Sequence, residues 1–60
     1  MNFDAINAAL ETMKQANSQR NVAAFYMADR ALRDWDHENV WEILARAQYE
    51  LIRDRERVSR

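Results

Sequence analysis

The one histidine of this chain, His37, stands among Asp34, Asp36 and Glu38. An imidazole beside carboxylates is a ligand set for Zn²⁺ or Mn²⁺, and the same pairing can shuttle a proton. The spacing argues against both uses. Ligands on a helix share a face only when they recur every three or four residues, and side chains one or two apart diverge. Neither H-x-x-x-H nor E-x-x-H occurs, and Asp36 and Glu38 are better accounted for as a helix cap and a first-turn acid. Nucleophilic chemistry has little material. Ser18 falls in a polar turn, Ser59 in the tail, and Thr12 mid-helix on an outward face, with no base spaced to activate any of them. The absence of Cys excludes a thiolate site, and the absence of Gly excludes a phosphate-cradling loop. No catalytic residue, cofactor or metal ligand is assigned, and the chain reads as a non-enzyme.

Two other groups of side chains could recognise a partner. Arg53, Arg55, Arg57 and Arg60 alternate with Asp54 and Glu56, four positive charges against two negative within the last eight residues. That run could grip a nucleic-acid backbone or an acidic protein surface, although alternating signs also describe an ordinary solvated helix end. Eight of the nine basic residues are arginine, which favours planar, bidentate contacts. The second group is Tyr26, Trp35, Trp41 and Tyr49 with Ile52. Aromatic residues with a polar handle are typical interface anchors, and in a short chain they serve equally well as core.

The elements that position these residues follow from composition. Sixty residues make one domain at most, spanning 1–60, and nine basic against ten acidic residues leave a net charge of -1. A general polyanion binder carries a larger basic surplus. Strong helix formers dominate, and the missing Gly and Pro remove the punctuation of a strand-rich fold. The apolar stretch around Val22 to Met27 is far shorter than the ~20 residues that cross a bilayer, and no secretory signal is expected.

Phe3, Ile6, Leu10 and Met13 recur at helical spacing, widened by Ala9 and Ala16, behind Asn2 as N-cap. The pattern predicts a first helix over about 3–16, ending where Asn17 could take the left-handed position that Gly usually fills. A second helix over 22–35 is capped by Asn21 or Ser18, carries Val22, Phe25, Ala28, Leu32 and Trp35 inward, and pairs Asp29 with Arg33 and Arg30 with Asp34. Neither candidate seam continues past Trp35, so a break is expected in 34–39, with Asp36 capping a third helix over 38–57. That helix points Val40, Leu44, Ala47, Leu51 and Val58 inward, with Ile43 and Ile52 beside the seam and the pairs Glu42–Arg46 and Glu56–Arg60 outside. A bent two-helix hairpin is the alternative.

Tyr26, Met27, Trp41, Ile43, Tyr49 and Ile52 lie off these stripes. A helical chain of this size hides only about 60% of the surface its unfolded form exposes. The surplus predicts a second molecule, most economically a helical homodimer with one self-complementary patch. The expected function is a non-enzymatic, regulatory protein-interaction module. The alternative is a small helical dimer that binds RNA or DNA through arginine.

The opening Met-Asn-Phe-Asp-Ala-Ile, the closing Arg-Asp-Arg-Glu-Arg-Val-Ser-Arg, the size and the missing Gly, Pro and Cys give the chain a wider likeness. It resembles the small all-helical accessory proteins of lambdoid phages, encoded in the early region between the recombination exonuclease and the excisionase. The resemblance implies an early bacteriophage protein of the host cytoplasm that contacts an unidentified host or phage protein to modulate growth or development. It supplies no site residues.

Overall fold

The computed structural model describes residues 2–58, with the Val58 side chain outside the description. Three helices follow one another: α1 (Phe3–Gln19), α2 (Val22–Arg33) and α3 (Val40–Val58). Each packs on both others, in a narrow body of 40 × 17 × 15 Å. The fold is all-α, and the separate α2 and α3 exclude the bent hairpin.

The helix starts follow the expected capping logic. The Ala5 N–H donates to Asn2 Oδ1 at 3.2 Å, and the Ala24 N–H donates to Asn21 Oδ1 at 3.1 Å. The first helix end is a correction. Asn17 stays helical and α1 runs on to Gln19, so Arg20 takes the left-handed position, at φ 56° and ψ 36°. The Arg20 N–H donates to the Asn17 carbonyl at 3.1 Å and the Asn21 N–H to the Ala16 carbonyl at 2.8 Å. This is a complete Schellman closure built without glycine. The extra turn has a tertiary cause. Gln19 Nε2 donates to the Leu51 carbonyl and to Asp54 Oδ2, both at 3.2 Å, and Asn21 Nδ2 donates to the Glu50 carbonyl at 3.3 Å. The α1–α2 turn is thereby clipped onto α3.

The break expected within 34–39 is present, but its details differ. α2 ends at Arg33, short of Trp35, and α3 begins at Val40, so Asp36 does not cap it. The Ile43 N–H reaches the Asn39 carbonyl at 3.1 Å, while the His37 N–H reaches the Asp34 carbonyl at 2.9 Å. The connection is held as successive turns instead of extending either helix.

The core is the main departure from the periodicity. Among the described residues, seven of the ten buried hydrophobic ones are alanine: Ala5, Ala9, Ala16, Ala24, Ala28, Ala31 and Ala47. Val40, Leu44 and Leu51 complete it, as expected for α3. On α1 the buried face is Ala5, Ala9, Thr12 and Ala16; Ala9 and Ala16 lie inward as expected, but Phe3 is 65% exposed and Leu10 49%. On α2 it is Ala24, Ala28 and Ala31, while Val22 is exposed and Phe25, Leu32 and Trp35 are half-buried. A hydrophobicity count weights Phe and Leu above Ala. Three helices meeting along a narrow axis instead select the face with the smallest side chains, because interaxial distance is set by what lies between them.

Thr12 is likewise corrected from outward to buried. Its hydroxyl donates to the Ala8 carbonyl at 2.8 Å and accepts from Gln48 Nε2 at 2.7 Å, which ties the register of α1 to that of α3.

Candidate interaction surface

An alanine core leaves the large apolar residues outside, and they fall on two faces. Along α1, Phe3, Ile6, Leu10 and Met13 share an edge at steps of three and four that continues to Asn17. Asn17 lines a depression with Val22, Phe25 and Tyr26, so this edge belongs to the α1–α2 side. Tyr26 is 67% exposed and meets Phe25 edge-on, with ring centroids 6.5 Å apart.

The second face is on α3. Trp41, half exposed, borders an open groove of about 410 Å³ between α1 and α3, which Ala8, Thr12, Leu44, Ala45 and Gln48 also line. Trp41, Ala45, Gln48 and Ile52 recur at steps of four, three and four, forming one stripe. Tyr49 stands beside it, 60% exposed, and borders a shallow pocket with Met27, Ala45 and Arg46.

The five expected anchors are therefore divided. Trp41, Tyr49 and Ile52 share the outer face of α3, Tyr26 lies on the α1–α2 side, and Trp35 is half-buried in the α2–α3 turn. The stripe of Phe3, Leu10 and Val22 as exposed surface was not anticipated. Its signal was the small-residue spacing at Ala5, Ala9 and Ala16, which marks the adjoining face as the tightly packed one.

The arginines are mostly engaged locally. Arg53 lies 3.8 Å from Glu50 and 5.8 Å over the Tyr49 ring. Arg55 and Arg57 occupy the last turn of α3, and Arg60 lies outside the described residues, as does the Glu56–Arg60 pair. The other expected pairs are present: Asp29–Arg33 at 3.2 Å, Arg30–Asp34 at 3.8 Å and Glu42–Arg46 at 3.3 Å. All are at the surface, where each contributes a few tenths of a kcal/mol.

His37 has a structural task. Its Nδ1 accepts the Asn39 N–H at 3.1 Å and so braces the turn before α3. Among the described residues no group of three or more His, Cys, Asp or Glu is arranged to hold a metal ion, and no helix is long and apolar enough to cross a membrane.

No family model matches this chain, and neither a curated protein nor a solved structure matches it. The functional reading therefore rests on the chain's own surface.

Proposed function

We propose that the protein is a non-enzymatic interaction module that works as a helical homodimer, one apolar face covered by a second copy and the other offered to a regulatory protein. One observation carries this reading. Four of the six aromatic side chains (Phe3, Tyr26, Trp41, Tyr49) are at least half exposed, while the buried interior is mostly alanine, with Val40, Leu44 and Leu51. Burial of apolar area contributes about 25 cal/mol per Å², and methyl groups supply little of it. Association is the direct route to hiding the rest. The likeness to phage accessory proteins extends the proposal to an early regulator acting in the infected host's cytoplasm.

Sedimentation at micromolar concentration tests the dimer. The expected species has twice the 7.2 kDa mass of the chain and a melting temperature that rises with protein concentration. A 7.2 kDa particle whose cooperative melting ignores concentration would refute it.

A further inference from the structure

Resting on the dimer reading, we infer that two copies pair through α3, antiparallel, about a two-fold axis near Arg46 and Ala47. The stripe of Trp41, Ala45, Gln48 and Ile52 has the 4-3-4 spacing that lets one helix seat on another. It is continuous with the open apolar groove over Leu44 and Ala8. Direction comes from charge. The acidic residue of α3's first turn is Glu42, whereas Arg55 and Arg57 lie in its last turn, with Arg53 just before.

Turned end for end, the second copy sets its Ile52 across from Trp41, and its Gln48, whose amide is held by Thr12 within its own chain, across from Ala45. On the flank, its Arg53 comes within two residues of the level of Glu42 and its Arg46 within two of the Tyr49 ring, each repeated by the two-fold, while the two Arg46 side chains stand on either side of the axis. A parallel pairing would instead set Trp41 against Trp41, bring the two basic ends level and align the helix dipoles.

The local pairs compete only weakly. Glu42 with Arg46 and Glu50 with Arg53 are surface pairs, with side-chain exposures of 62% and 72% and of 33% and 53% respectively. Exchanging them for contacts between subunits costs little. On the α1–α2 face Asn7, Lys14 and Asn17 border the α1 stripe by spacing, and Arg20 lines the depression beside Val22 and Tyr26.

The chain has no cysteine, so engineered thiols report geometry directly. Trp41→Cys and Ile52→Cys are prepared separately and treated, alone and mixed, with a short bifunctional thiol cross-linker. The expected result is a cross-linked dimer from the mixture and little from either variant alone. Self-cross-linking of each variant, with no gain on mixing, overturns the antiparallel arrangement while leaving the dimer intact.

Charge reversal gives a second readout that leaves the apolar stripe untouched. Glu42→Arg and Arg53→Glu should each weaken dimerisation by roughly tenfold, since symmetry counts every contact twice. The double variant should restore it. Failure of the double variant to recover refutes the register, and a wild-type chain that sediments as a monomer removes the dimer reading itself.

Discussion

Arg20→Gly should stabilise the fold. Arg20 holds φ 56° and ψ 36°, where a Cβ crowds the following carbonyl and costs roughly 1–2 kcal/mol. Glycine removes that cost but loses about 0.5–1 kcal/mol more backbone entropy on folding than a residue with a side chain. The difference predicts a net gain of about 0.5–1 kcal/mol. Both Schellman hydrogen bonds use backbone groups only, so the substitution leaves them in place. For a domain of this size the gain corresponds to a rise in melting temperature of roughly 2–8 °C. Thermal and urea unfolding at one fixed protein concentration measure it without interference from association. Arg20→Ala is the control, because it removes the guanidinium and keeps the Cβ. A glycine variant that melts lower than wild type, or an alanine variant that gains as much, would show that the left-handed closure is not where the strain resides.

Leu51→Ala should lose about 2–5 kcal/mol and often the fold, because Leu51 is fully buried between Ala16 and Ala24 with Phe25 packed against them; a loss under 1 kcal/mol in urea denaturation would misplace the α3 seam. Asn21→Ala removes both the cap on α2 and the clip to the Glu50 carbonyl, for an expected loss of about 1–3 kcal/mol, against a loss nearer 1 kcal/mol if only the cap matters. Ala28→Leu should destabilise by roughly 1–3 kcal/mol despite its added hydrophobicity, since no space exists at the helix seam, and increased thermal stability would contradict the close packing.

Much of the fold was legible before any coordinates. The helix count, the Asn2 and Asn21 caps, a break within 34–39 and the α3 seam all follow from local signals that act within one or two turns. The buried faces of α1 and α2 were legible only in part: Ala9, Ala16 and Ala28 lie inward as expected, whereas Ala5, Thr12, Ala24 and Ala31 were not foreseen. Each of these helices carries two stripes in different phase, one large and one small, and only the meeting of all three helices decides which is enclosed. The same limit applies to Thr12, whose partner Gln48 is 36 residues away. Arg20 also escaped, because α1's extra turn depends on Gln19 reaching α3. Of the surface, the outward stance of Trp41, Tyr49 and Ile52 was foreseeable from their positions off the seam, whereas Phe3 and Leu10 looked like core.

An interior built mostly of alanine, with only Val40, Leu44 and Leu51 larger among the described residues, gives each chain little stability in reserve. With pairing as proposed, the folded fraction becomes a function of abundance: dilute chains open and are degraded, and abundant ones shelter each other from proteases. Such a protein needs no separate off-switch. In that arrangement, a stop in its synthesis would dissolve the pairs and expose the remaining molecules to degradation.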